Sequence, residues 1–145
     1  MSIVDMGGIT KAVEKLISEN TTGYKVTRNK QRNEDPNIAA QGKGWIGIWR
    51  GDRIYEPHTT GSSPWLVDLS VMIEIQYASW ANADDVEDRL MDAEKEIMDI
   101  LYANRTLSST VLMTTGYDVT DNKNESEEDV YFQASIITLK AQVRA

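Results

Sequence analysis

The strongest constraint on the fold is an alternation of apolar and polar side chains over residues 65–77. Every second position of this segment is apolar: Trp65, Val67, Leu69, Val71, Ile73, Ile75 and Tyr77. A period of two predicts one long strand with one buried face and one mostly solvated face. At about 3.3 Å per residue such a strand spans roughly 40 Å. We therefore expect part of it to project from the body or to pair with a neighbouring protein.

Two further segments have the spacing of amphipathic helices. The first is predicted over about residues 8–19, where apolar side chains recur on one helical stripe. The second follows the long strand, with Asn82 or Ser79 as its candidate N-cap and an end near residues 102–104. Its apolar stripe consists of Val86, Leu90, Ala93, Ile97, Ile100 and Leu101.

The remaining apolar runs predict shorter strands. One begins at Tyr24, and residues 44–50 and 53–56 are expected to form an antiparallel hairpin around a Gly51-Asp52 turn. A closing hairpin follows the second helix, with residues 121–129 as its polar, acidic connection. The apolar phase of its last strand slips after Ile136, which indicates a bulge or a change of packing partner.

These elements predict a single domain over residues 1–145. The fold class is α+β, with a mainly antiparallel sheet, two helices packed on one face and an extended hairpin or loop. The extension is the polar segment 28–43, which has no periodicity. Loops of this length are uncommon in compact domains unless they are functional or disordered.

Few side chains suit catalysis or metal binding. The chain has no cysteine, which excludes disulfides and thiolate sites, and His58 is its single histidine. The glycines beside Lys11 and Lys43 lack the spacing of a phosphate-binding loop. We therefore predict no catalytic site, no metal site and no cofactor, and an enzyme is the least supported class. No apolar run reaches the roughly 20 residues that cross a bilayer, so no membrane partner is expected.

The charge is unevenly distributed along the chain. The net charge is −8, with +2 over residues 1–58 and −10 over residues 59–145. A chain this acidic is a poor general binder of nucleic acid, because affinity for DNA comes largely from neutralising phosphates. Basic side chains between Lys25 and Arg32 nevertheless leave a small nucleic-acid or ligand-binding module open as an alternative.

The order of these elements resembles a family of viral assembly proteins. An opening helix, a strand and a long loop precede the segment Gly44-Trp45-Ile46-Gly47-Ile48-Trp49-Arg50-Gly51-Asp52-Arg53-Ile54-Tyr55-Glu56-Pro57, which leads into the long alternating strand. An acidic helix and a closing hairpin follow. Over residues 8–143 this layout is similar to the tail terminator (minor tail protein U-like) proteins of long-tailed bacteriophages. Neck and head–tail completion proteins have a similar sequence pattern and remain the alternative.

The resemblance implies a virion protein that is assembled in the host cytoplasm. Such subunits form a homo-oligomeric ring, usually a hexamer, at the head-proximal end of the tail tube. The ring ends polymerisation of the tail tube protein and joins the head–tail connector protein, while DNA passes through its lumen. An acidic lumen would repel DNA and discourage it from sticking.

Two sets of residues are candidates for these contacts. The candidate interface set lies in the long loop, the predicted hairpin and the loop after it: Arg28, Lys30, Arg32, Trp49, Arg50, Arg53 and His58. The candidate lumen or acidic face lies on the second helix: Asp88, Asp92, Glu96 and Asp99.

Overall fold

The computed structural model describes residues 4–28, 44–57, 65–79, 83–127 and 130–144. It contains two helices and five strands in this order: α1 (Met6–Asn20), β1 (Tyr24–Arg28), β2 (Gly44–Pro57), β3 (Trp65–Ser79), α2 (Ala83–Ala103), β4 (Met113–Glu127) and β5 (Val130–Arg144). The predicted α+β class is confirmed. Both helices contain the segments that their periodicity indicated, and α1 begins where the Asp5 carboxylate accepts a hydrogen bond from Gly8 N at 3.0 Å.

The five strands form one sheet in the order β1-β2-β3-β5-β4. Strand β1 pairs parallel with β2, whereas the other three pairs are antiparallel. The long strand β3 lies at the centre. Its first residue pairs with Pro57 of β2 and its last with Tyr131 of β5. The expectation that part of β3 projects or pairs with another protein is therefore wrong, because the chain's own strands pair along its whole length.

The core lies between the helices and one face of the sheet, which we call the helix-bearing face. Helix α1 packs on β1 and β2, α2 packs on β3 and β5, and the two helices contact each other. Ile48, Ile73 and Ile137 on the sheet and Ile97 on α2 are fully buried. Each such side chain contributes about 1.5–3 kcal/mol through burial. The opposite side of the sheet, on which neither α1 nor α2 packs, is the open face.

The predicted hairpin around Gly51-Asp52 is wrong, because both of its strands belong to β2. Arg50 pairs with Val71 and Arg53 with Leu69, so Gly51 and Asp52 both lie opposite Ser70. This is a β-bulge, in which one extra residue is inserted into a continuous strand. Asp52 N donates a hydrogen bond to Ser70 Oγ at 3.0 Å, and a Cβ at Gly51 would collide with the same hydroxyl.

The closing hairpin is longer than predicted. Residues 121–127, expected to form a loop, continue β4, and only 128–129 separate it from β5. The ladder between β3 and β5 has no register shift, so the predicted slip in β5 is not a bulge of that ladder. Ile137 faces the core, and its neighbour Ile136 lies half-buried on the open face.

Several predicted features lie at the borders of the described residues. Ser79 ends β3 and therefore does not cap α2, and Asn82 lies outside the described residues. The first residue of the predicted 28–43 loop, Arg28, is the last residue of β1. The rest of that loop also lies outside the described residues.

Candidate interaction surfaces

Three arginines of the candidate interface set lie on neighbouring strands. Arg28 pairs with Ile48 in the parallel ladder, and Arg50 and Arg53 flank the β2 bulge. Residues three apart in a regular strand point to opposite faces, but the extra residue of the bulge restores a common side. Arg50 and Arg53 pair with Val71 and Leu69, both of which face the core. The bulge thus places two exposed arginines at the margin of the helix-bearing face.

The other members of that set do not join them. Trp49 pairs with Met72 and lies half-buried on the open face. Lys30, Arg32 and His58 lie outside the described residues. The described residues of the predicted interface therefore lie on both faces of the sheet.

The acidic residues of α2 form a partly exposed stripe. Asp88, Asp92 and Asp99 are exposed, and their spacing of four and seven residues keeps them on one side of the helix. Glu96 differs, since it is only half-exposed and accepts a hydrogen bond from the Tyr24 hydroxyl at 3.0 Å. Three of the four predicted residues thus form an acidic surface, and the fourth connects α2 to β1.

The contact at Glu96 belongs to a small polar cluster between β1, β3 and α2. Burial is the main cause that raises the pKa of the Tyr24 hydroxyl far above its ordinary value, followed by its hydrogen bond with Tyr77. Burial also raises the pKa of Tyr77, although its bond with Tyr24 and the charge of Arg89 oppose this. Both phenols are neutral at ordinary pH and can act as hydrogen-bond donors. Neither the spacing of the two tyrosines along the chain nor any local motif predicts this cluster.

Gly44 makes room for that cluster at the start of β2. Its φ of 134° lies in a region that side chains rarely adopt. A Cβ there would come within 2.6 Å of the Gln76 carbonyl oxygen and 3.0 Å of the Tyr77 ring. Only glycine therefore lets β2 approach β3 closely beside the phenol.

The open face combines tryptophan with polar pairs. Trp45 is only 2% exposed, and its indole lies over Gly47 on the same strand. Gln142 Nε2 donates to Asp68 Oδ1 at 2.9 Å, and Lys140 Nζ lies 2.7 Å from Asp118 Oδ2. The sequence signal for this face is the polar half of the β3 alternation.

On the helix-bearing face, a polar contact lies within the apolar core. The Ser135 hydroxyl donates to Glu94 Oε1 of α2, and Ser135 is fully buried. Within the described ranges, no group of three or more histidine or carboxylate side chains is arranged to hold a metal ion. The described helices include none that is both long and apolar enough to span a membrane.

No family model matches the sequence, and no characterised protein is significantly similar to it. The fold, the open face and the charged surfaces are what bear on its function.

Proposed function

We propose that this protein is a tail terminator subunit of a long-tailed bacteriophage. It forms a homo-oligomeric ring, usually a hexamer in this family, at the head-proximal end of the tail tube. The ring ends polymerisation of the tail tube protein and binds the head–tail connector. In this role the chain acts by assembly in the virion and not by catalysis.

The observation that carries this proposal is a sheet of long strands with both described helices on the same face. Strands β2 to β5 have 14 or 15 residues each. The open face is exposed at Ile54, Asp118 and Lys140, although Trp45, Glu74 and Gln76 on the same face are buried. Each outer strand has a single partner strand among the described residues. A sheet face and sheet edges are the surfaces through which β proteins commonly associate. The order of helices and strands also supports the resemblance, apart from the bulge that replaces a hairpin.

The charge distribution supports a lumen through which DNA passes without binding to its wall. Asp88, Asp92 and Asp99 are exposed on α2. Residues 59–145 carry most of the negative charge of the chain. In the proposed ring this acidic stripe flanks the lumen, where it repels phosphates.

The proposal is tested with the purified chain and the tail tube protein of the same virus. Native mass spectrometry and electron microscopy should show a closed ring that caps tube ends and stops their elongation. A variant that replaces Met91, an exposed residue of α2, with alanine serves as a folded control that keeps this activity. A strict monomer that leaves tube growth unchanged would refute the proposed function.

The neck or completion protein is the nearest alternative, and the same preparation distinguishes it. A terminator binds the tube end, whereas a neck protein binds the connector and ignores the tube. We expect binding to the tube end. Binding to the connector alone would assign the protein to the neck.

A nucleic-acid module is the second alternative, favoured by exposed Lys25 and neighbouring Arg28 on β1. Neutralising Lys25, Arg28, Lys30 and Arg32 to glutamine would abolish salt-dependent DNA binding if this module were the function. We expect no measurable binding of a short duplex at low salt, either before or after these substitutions. Strong binding that the substitutions remove would favour the nucleic-acid reading.

A further inference from the structure

The sheet ends in two outer strands that have no partner within the described residues. These are β1 on one side and β4 on the other. Unpaired backbone N–H and C=O groups at a sheet edge readily pair with another chain unless they are protected. In β4, register shifts lie between Thr114 and Gly116 and between Asn122 and Glu125. The regular part of this edge is therefore the seven-residue run Gly116–Asn122.

The two edges carry opposite charge. Strand β1 contains Lys25 and Arg28 and no acidic residue. The run Gly116–Asn122 contains Asp118 and Asp121 and no basic residue, although Lys140 of β5 lies beside Asp118. Pairing β4 with β4, or β1 with β1, would bring like charges together, which is destabilising. Pairing β1 with β4 brings opposite charges together, so charge favours a contact between unlike edges.

Strand direction also suits this contact. Strand β1 runs parallel to β2, and the three antiparallel ladders that follow make β4 run opposite to β1. A second copy related by rotation about an axis along the strands keeps its strand directions. Its β1 would therefore lie antiparallel to β4 of the first copy, which is the slightly more stable arrangement.

The two faces of the sheet match across the same contact. Helix α1 packs on β1 and β2, and α2 packs on β3 and β5. On β4, Val119 is 46% exposed although it pairs with the fully buried Ile137. Tyr24 and Val26 of β1 pack against the core on the corresponding face. A neighbouring β1, with its α1 above it, would continue the apolar face beyond Val119.

We propose that β1 of one copy pairs antiparallel with the Gly116–Asn122 run of β4 in the next copy. This inference rests on the proposed function, because it specifies the contact between subunits of the ring. The contact joins unlike surfaces, so its repetition closes into a ring when the rotation permits.

The chain has no cysteine, so introduced thiols report this contact without background. Lys25→Cys and Thr120→Cys place exposed thiols at open-face positions of β1 and β4. A short bismaleimide tolerates a shift in register. The double variant should give a ladder of covalent multimers up to the ring size, and mixed single variants should give dimers. Either single variant alone should give no cross-link.

A charge exchange tests the same contact without cross-linking. Lys25→Glu and Asp118→Lys should each weaken assembly on the order of tenfold, because each places like charges together. An equimolar mixture should recover assembly, since alternating copies restore opposite charges at every contact. Circular dichroism of each variant confirms that the fold is retained.

The outcomes separate this contact from the proposed function. Cross-linking of Thr120→Cys alone would show β4 pairing with β4 and overturn the inference. A ring without cross-links or charge rescue would also overturn it, but would leave the terminator proposal intact. A cross-linked ladder that does not cap tail tubes would support the edge contact and refute the terminator role. A monomer without cross-links would refute both.

Discussion

The two faces of the sheet bury different kinds of side chain. On the helix-bearing face, aliphatic residues such as Ile73 and Ile137 are covered by α1 and α2. On the open face, Trp45 is just as inaccessible, but it covers Gly47 and lies beside polar side chains of β3. The first face is covered by a separate layer of helix, whereas the buried residues of the second include the polar Glu74 and Gln76 beside Trp45.

This difference indicates which substitutions should destabilise the fold and which should have little effect. Apolar area removed from water by a packed layer stabilises the fold strongly. Exposed polar pairs on a sheet contribute little, because solvent screens them. We therefore expect substitutions beneath the helices to have large effects, and substitutions of polar pairs on the open face to have small ones.

The largest effect is expected beneath α2. Ile97→Ala removes a fully buried side chain between the helix and the sheet, leaving a cavity. We expect it to lower the free energy of unfolding by about 2–5 kcal/mol, measured by urea denaturation. Met91→Ala, on the same helix but 58% exposed, should change it by less than about 0.5 kcal/mol. Equal losses in both variants would contradict the helix-covered core.

A smaller effect is expected from crowding the open face. A Cβ at Gly47 would lie 2.5 Å from Trp45 Cη2 and 2.8 Å from Cζ2, so Gly47→Ala must displace the indole. We expect a loss of about 1–3 kcal/mol and a change in tryptophan fluorescence.

Gly116→Ala is the matched control for that substitution. Gly116 is also in a strand, and a Cβ there would meet no atom within 4 Å. Its effect should be within about 0.5 kcal/mol. If Gly47→Ala were as well tolerated, Trp45 would not be held by its own strand, and the contrast between the faces would weaken.

The contact between β1 and α2 is expected to contribute less. Tyr24→Phe removes the hydroxyl that donates to Glu96, which should lower the free energy of unfolding by about 1 kcal/mol. The exposed Tyr102 provides the control Tyr102→Phe, which should have almost no effect. A double-mutant cycle of Tyr24→Phe with Glu96→Ala would measure the coupling, and additive losses would show that the bond contributes nothing.

The Tyr24 hydroxyl also predicts that the stability of the fold depends on pH in the alkaline range. The folded-state pKa of Tyr24 is raised above its ordinary value of 10.0. Its stabilising contribution is therefore fully present below about pH 10 and is lost as the pH rises further, because only the unfolded chain ionises readily. Thermal unfolding measured between about pH 8 and 11, the range around the ordinary tyrosine pKa, should show a smaller alkaline loss of stability for Tyr24→Phe than for the unaltered chain. An unchanged slope would contradict the burial of this hydroxyl.

The smallest effect is expected for the ion pair of Lys140 with Asp118. Both side chains are at least half exposed, so Asp118→Asn should lower the free energy of unfolding by about 0.5 kcal/mol or less. That loss should fade as salt is added. A larger loss that does not change with salt would show that solvent screens this ion pair less than its exposure indicates.

Much of the fold was predictable because periodicity reports which side of an element is buried. The alternation along β3 and the apolar stripe of α2 correctly predict which sides face the core. The expectation that the other face of β3 is mostly solvated is wrong, because Glu74 and Gln76 are buried there and its other positions from 66 to 72 are half-buried. The exposed carboxylates at Asp88, Asp92 and Asp99 follow from the same helical spacing. Glu96 belongs to that spacing too, yet its partner Tyr24 is 72 residues away, and no local pattern reports so distant a contact.

The Gly51-Asp52 pair shows why the remaining features were not predictable. A dipeptide of this kind suits both a tight turn and a bulge, since each needs an irregular backbone with little side-chain bulk. Its conformation depends on what the following residues pair with. In the folded chain they pair with the first half of β3, so β2 continues and the two flanking arginines share a face.

The sequence by itself determined the α+β class, the existence of one long strand and the buried sides of both helices, because the positions of apolar residues along a strand or helix specify its buried side. Only the tertiary structure decided the parallel pairing of β1 with β2, the strand order and the β2 bulge. Periodicity specifies a face but not a partner. The partner is chosen by packing between residues far apart in the chain.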